Sequence, residues 1–285
     1  MGMLDGKTAL ITGGSRGQGR AHAVTCAREG ADVIIVDIAD QIDTVPYPMS
    51  TQADIDETVK LIEEHDRRVI AIKGDVRDQA VLDDAVAQGI AEFGKLDILI
   101  ANAGIWSLAP FWELTEDAWN DMIAVNLSAV WKSAKAVAPH MIERRSGSIV
   151  MTSSVNGLEP GVNYAHYISA KYGVVGLMKS VALELAPYGI RCNSVNPGAI
   201  LTGMTNNQGA WDMFAGHEGG TEEEMLQNGY GFHALKGHGF MSPQVIADAA
   251  LFLNSDLAGA VTGVALPVDA GHMILPGMNL APVRD

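Results

Sequence analysis

Cysteine is nearly absent: Cys26 and Cys192 are the only two in 285 residues. A secreted scaffold held by disulfides needs more, so a reducing, cytoplasmic setting is expected. Long apolar runs are missing too. The longest, such as residues 33–36, have strand length, well short of the ~20 residues that cross a bilayer as a helix. The opening Met1-Gly2-Met3-Leu4-Asp5-Gly6-Lys7 lacks a basic stretch followed by an apolar one, so no secretory signal is expected. Positive charge is scarce, with 19 Lys and Arg against 34 Asp and Glu and a net charge of −15. Neutralising nucleic-acid phosphates or docking on anionic lipid needs the opposite balance, which excludes both as expected partners. His217, His233, His238 and His272 show no metal-ligand spacing with one another or with cysteine, so no metal is expected.

What is present is an ordinary globular composition, 48% hydrophobic and 19% charged. Short, mostly unbroken apolar runs at 8–11, 33–36, 69–72, 98–101, 148–151, 190–195 and 264–268 alternate with amphipathic stretches at 18–29, 55–65, 79–93, 116–141, 165–186 and 243–253. Unbroken runs fit strands buried on both faces, and their alternation with crossover-length helices predicts an α/β fold: a single-domain, doubly wound parallel sheet of Rossmann type with helices on both faces. No repeat or linker divides residues 1–285. Two segments break the rhythm. Residues 39–51 carry Val45-Pro46-Tyr47-Pro48 and cannot be helical. Residues 201–242, rich in Gly, Met, His and aromatics, read as a long irregular, mobile substrate loop.

After the first apolar run comes Thr12-Gly13-Gly14-Ser15-Arg16-Gly17-Gln18-Gly19, and then a helix. Glycines let the backbone turn sharply and approach a pyrophosphate, and the helix start offers free N–H groups to the anion. Asp37 ends the second run, where a carboxylate accepts ribose hydroxyls and repels a 2′-phosphate; this favours NAD over NADP. Arg16 is the counterweight, since a guanidinium there could bind that phosphate. A strand-end solvated acid is the plainer reading of Asp37.

With these residues in place the sequence resembles the short-chain dehydrogenases/reductases. The motifs are Thr12-Gly13-x-x-x-Gly17-x-Gly19, Asp75-Val76, Asn102-Ala103-Gly104, Tyr167-x-x-x-Lys171 with Ser154 thirteen residues upstream, Asn126 in the preceding helical stretch, and Pro197-Gly198-x-Ile200-x-Thr202. The likeness spans about Lys7 to Gly271. It implies a catalytic set of Asn126, Ser154, Tyr167 and Lys171. It implies a cofactor site of Gly13, Ser15, Arg16, Gly17, Gln18, Gly19, Asp37, Ile38, Asp75, Val76, Asn102, Ala103, Gly104, Tyr167, Lys171, Pro197, Gly198, Ile200 and Thr202. The segment Asp40-Gln41-Ile42-Asp43 through Val45-Pro46-Tyr47-Pro48, with the variant Arg16-Gly17-Gln18-Gly19-Arg20, is similar to an insertion in one actinobacterial subgroup, the mycofactocin-coupled or carveol-dehydrogenase-like enzymes. That resemblance implies NAD held without exchange, an external redox carrier and a homotetramer. Gln18, where an aliphatic residue is usual, and Ile168 after the tyrosine depart from the broader pattern.

The implied chemistry is hydride transfer between NAD and an alcohol or ketone. Tyr167 would be the acid/base, its acidity raised by Lys171 one helical turn on. Ser154 would hold the substrate oxygen, and Asn126 would anchor a proton-relaying water. Gly203, Met204 and residues 211–214 could line an apolar pocket or simply pack, and Trp106, Leu158 and Val162 flank the motifs. The tail at 275–285 could cross to another subunit or fray. The competing readings are a reductase of a polar carbonyl with exchangeable cofactor and a nucleotide-binding sensor without chemistry. No basic patch for an acyl carrier is visible in 201–242, which holds only Lys236.

Overall fold

The computed structural model describes residues 2–284. Seven strands, β1 (Thr8–Thr12), β2 (Asp32–Asp37), β3 (Val69–Lys73), β4 (Ile98–Ala101), β5 (Gly147–Thr152), β6 (Ile190–Pro197) and β7 (Ala265–Val268), form one parallel sheet in the order β3-β2-β1-β4-β5-β6-β7. Nine α-helices accompany them among the described residues: α1 (Gly17–Arg28), α2 (Gln52–Glu63), α3 (Gln79–Phe93), α4 (Glu116–Ile123), α5 (Ala129–Arg144), α6 (Ala165–Leu185), α7 (Gln208–Ala215), α8 (Glu222–Asn228) and α9 (Gln244–Asn254).

The period of two along each strand divides the core. Leu10, Ile34, Leu99 and Ile149 face a layer built by α3, α5 and α6. Their neighbours Ala9, Ile11, Val33, Ile35, Ile98, Ile100 and Val150 face α1, α2 and α9. This is why the central runs are apolar at every position. Run 69–72 departs from that expectation: β3 is an edge strand, and its residues are half-buried or exposed.

The sequence stretch 116–141 is not one regular helix. A wider π-turn, Ala124–Ser128, joins α4 to α5 and carries Asn126. Residues 201–242 are also more ordered than their composition suggests. Asn207 caps α7, and Thr221 with Glu224 forms a capping box on α8.

These helices pack with residues 39–51 in a third apolar cluster of Ile42, Val45, Tyr47, Ile105, Trp106, Met122, Val125, Ala210 and Met225. The non-helical insertion is therefore a strap fixed over the sheet's carboxyl edge. It ends at Thr51, whose capping box with Asp54 starts α2. The tail folds back on its own chain: Asn279 N–H donates to Gly231 O at 2.7 Å, and Gly237 N–H donates to Val283 O at 2.8 Å.

β1 lies between β2 and β4. The chain leaves these strands in opposite directions, which opens a crevice beyond their carboxyl ends.

Candidate active site

The crevice begins at the β1–α1 loop. Gly13 and Gly17 hold φ of +63° and +53°, values that favour glycine. A Cβ on Gly19 would lie 1.8 Å from the Gly13 carbonyl oxygen, so only glycine lets the loop close on itself. Arg20 Nε from α1 and Thr58 Oγ1 from α2 both reach the Ser15 carbonyl, at 3.0 and 2.7 Å, and hold the loop from behind. Arg16 caps α1 without using its side chain, which leaves the first-turn N–H groups turned to the cleft.

Asp37 is buried at the end of β2. It accepts from Ser15 N–H at 3.0 Å, Ser15 Oγ at 2.6 Å and Ser50 Oγ at 2.5 Å. Arg16 does not reach outward for a phosphate; Nη1 donates to the Pro48 carbonyl at 2.8 Å. Both residues expected to choose between NAD and NADP thus also fasten the strap. Its third tie is Thr44, which donates to Asp121 at 2.8 Å, while Asp121 pairs with Arg77 at 2.7 Å and Arg77 with Asp75. Burial works against the Asp75 carboxylate, but the Arg77 bonds and charge hold it below the usual carboxylate range. Tyr47 reaches inward, and its hydroxyl accepts the Trp106 N–H at 3.1 Å.

At the other end, Ser154 follows β5, and Tyr167 and Lys171 lie one turn apart on α6. Burial pushes the Tyr167 phenol up to about 12, opposed by its bond with Ser154. Lys171 is tied to the end of β5. Its ammonium donates to Thr152 O at 2.9 Å and lies 5.5 Å from the Tyr167 ring centre, and burial brings its own value down to about 8. Asn196 Nδ2 grips the Ser154 carbonyl at 2.7 Å.

Asn126 is placed differently from the rest. It is buried, and its amide accepts from Ile105 N–H and donates to Ile105 O, each at 2.8 Å. Its side chain fixes the backbone after β4. Asn102 likewise clasps Thr12 O and Gly13 O, at 3.2 and 3.3 Å.

One cavity unites the predicted set. Gly13, Arg16, Gly17, Gln18, Gly19, Asp37, Ile38, Asp75, Val76, Asn102, Ala103, Gly104, Ser154, Tyr167, Lys171, Pro197, Gly198, Ile200 and Thr202 all line it. Ser15 and Asn126 stand behind it. The strap adds Ile42, Tyr47, Met49 and Ser50 to the lining, and nothing in their spacing marked them as cleft residues.

A second, apolar cavity continues from Ser154 and Tyr167. Its walls include Trp106, Tyr164, Met204, Met213, Phe214, Phe232 and Phe240. Trp106, Met204, Met213 and Phe214 were expected there. Leu158 and Val162 do not line it, and Val162 is 79% exposed. Trp211 donates to Asn206 at 2.7 Å instead. Among the described residues no cluster of His, Cys, Asp and Glu could hold a metal, and no helix is long and apolar enough to cross a membrane.

The lining fits a dinucleotide: glycine backbone N–H groups at a helix start to donate to phosphate, a buried acid at the ribose end to accept hydroxyls, and a buried acceptor, Gln18 Oε1, with no partner of its own. With tyrosine, lysine and serine at the far end, the fold and site define a dinucleotide-dependent oxidoreductase. The sequence pattern of the family described as short chain dehydrogenase matches residues 7–213, and the chain belongs to that family. It is 43% identical to (−)-trans-carveol dehydrogenase of Rhodococcus erythropolis, over 95% of this chain and 99% of that one. It superposes on carveol dehydrogenase from Mycobacterium avium in complex with NAD with a TM-score of 0.93, at 41% identity over 96% of this chain and 100% of that one. A short-chain dehydrogenase from Mycobacterium paratuberculosis bound to NAD gives a TM-score of 0.86 at 37% identity, over 96% and 100% of the two chains.

Proposed function

We propose that this NAD-dependent oxidoreductase moves a hydride between NAD held under the strap and a hydrophobic secondary alcohol or ketone of carveol-like shape. The observation that carries the reading is the meeting of Ser154 and Tyr167 with both cavities, one lined by the glycine loop and the Asp37 carboxylate, the other walled by aromatics and methionine. Bound NAD supplies the hydride acceptor. Ser154 positions the substrate oxygen, Tyr167 exchanges its proton, and Lys171 holds the ribose side of the cleft. Asn126 acts through Ile105. The apolar walls favour a terpenoid-like ring over a sugar.

The direct test mixes the purified protein, without added nucleotide, with carveol and follows reduced-nicotinamide absorbance. A stoichiometric rise that then stops is the expected result. It would call for an external redox carrier, of mycofactocin type if the subgroup likeness holds. Steady turnover that needs added NAD would reject retention. Absence of any hydride transfer would reject the alcohol reading.

Retention rests on the strap's bonds. Removing Thr44 and Ser50 hydroxyls together (Thr44→Ala with Ser50→Ala) is expected to speed NAD release about tenfold or more, from about 1 kcal/mol per lost bond. An unchanged dissociation rate would make the strap a cover without a hold. The assembly is proposed as a homotetramer, supported by apolar area on α5 and α6, where Trp131 and Leu183 are 47% and 78% exposed. Sedimentation that finds only monomer would overturn it.

A further inference from the structure

Behind the apolar cavity, three distant chain segments meet at one imidazole. His272 follows β7 in a short turn. Its Nδ1 faces the Phe232 carbonyl at 2.8 Å, and its Nε2 faces Glu159 Oε1 at 2.5 Å. Each ring nitrogen thus faces an oxygen, one of the backbone and one of a carboxylate, from a different chain segment. The ring also lies flat on Phe232, with centroids 3.7 Å apart and planes within 10°. His272 and Glu159 side chains are 12% and 29% exposed, so the pair is shielded better than a surface ion pair.

Both partners belong to the substrate side. Phe232 is a cavity wall and packs on Phe214, itself a wall, at 5.8 Å. Glu159 ends the segment that leaves Ser154 and passes the cavity residues Val155 and Asn156. The ribbon carrying Phe232 is fastened to the C-terminal segment elsewhere as well: Ala234 and Leu235 N–H donate to Ala270 O, and Asn279 Nδ2 donates to His233 O at 3.0 Å. His272 is the link that carries this fastening across to the catalytic serine's own loop.

We propose that His272 is a positioning residue for substrate: by clamping Glu159 to Phe232 it fixes the aromatic wall and makes the C-terminal segment part of the apparatus that fits a bulky apolar alcohol. This rests on the apolar-alcohol reading of the cavity. The clamp touches neither cofactor nor reacting atoms, so its loss loosens the fit without disabling the hydride step.

The test compares carveol with the smaller cyclohexanol on holoenzyme, with a dye acceptor added to re-oxidise the bound nicotinamide so that turnover is continuous. His272→Ala is expected to raise KM for carveol about tenfold or more, the scale of a lost charge-assisted bond. It leaves kcat within about twofold, because ground-state and transition-state binding fall together. KM for cyclohexanol changes little. Glu159→Ala behaves like His272→Ala, whereas Glu159→Gln keeps an acceptor for the imidazole N–H and restores the wild-type ratio. Equal KM changes for the two alcohols, or no rescue by Glu159→Gln, would overturn the clamp. Calorimetric binding of carvone decides the matter without turnover. If wild type binds carvone but oxidises neither alcohol, the proposed function fails, and weaker binding by His272→Ala still supports the clamp. Equal affinity overturns it, and absence of carvone binding by wild type overturns both.

Discussion

Tyr167→Phe is expected to lower carveol oxidation by about 10²- to 10⁴-fold, the usual range for a positioned acid or base. The phenol is the group on the cavity wall that can both bond Ser154 and take a substrate proton. Lys171 cannot replace it, because its ammonium is held on Thr152 O. Phenylalanine fills nearly the same volume, so NAD content and melting temperature stay close to wild type. Burial raises the phenol's value, and oxidation needs its deprotonated form. The wild-type oxidation rate therefore climbs with pH on the alkaline side, and the variant lacks that limb. Retention of more than about a tenth of the rate would remove Tyr167 from the proton path.

Gly19→Ala is the second large effect, and it acts through the backbone. The new Cβ meets the Gly13 oxygen at 1.8 Å, its carbon at 2.7 Å and Asn102 Nδ2 at 2.9 Å. The first two are backbone atoms, and the Asn102 amide is itself held on Thr12 O and Gly13 O, so the loop must move. A displacement near 1 Å costs about 10²-fold in rate when it misplaces reacting groups, and here it also pulls the first-turn N–H groups off the pyrophosphate. We expect the variant to purify without nucleotide. Gly176→Ala is the control: its Cβ meets nothing within 4 Å on α6, and it should stabilise the fold by up to about 1 kcal/mol. A Gly19→Ala protein that keeps its NAD would show that the loop does not grip the phosphates.

Much of this was legible because it is local. The β1–α1 glycines, Tyr167 with Lys171, and Ser154 are defined by contiguous spacing, and the unbroken apolar runs mark strands buried on two faces. The capping box Thr221-Glu222-Glu223-Glu224 was equally local and would have announced α8 inside a segment read as irregular. The strap's fastenings were not legible, although its start just after Asp37 already placed it beside the ribose end of the cleft. Ser50 meets Asp37 over 13 residues, Thr44 meets Asp121 over 77, and Glu159 meets His272 over 113. Such bonds depend on the folded path of the chain, which no window of sequence contains. The half-exposure of β3 escaped for a related reason, since an edge position is a property of the sheet and not of the strand's own residues.

Asp37 has one more consequence. The carboxylate placed to select the nucleotide is also the peg to which Ser15 and Ser50 are tied. Which nucleotide enters and how firmly the cleft is buttoned are therefore a single inherited trait. A lineage, or an engineer, that exchanges this acid for a phosphate-binding side chain to admit NADP unfastens the strap with the same stroke. A switch of preference in this scaffold has to be accompanied by a new fastening for Ser50, or it yields an enzyme that accepts the second nucleotide and keeps neither.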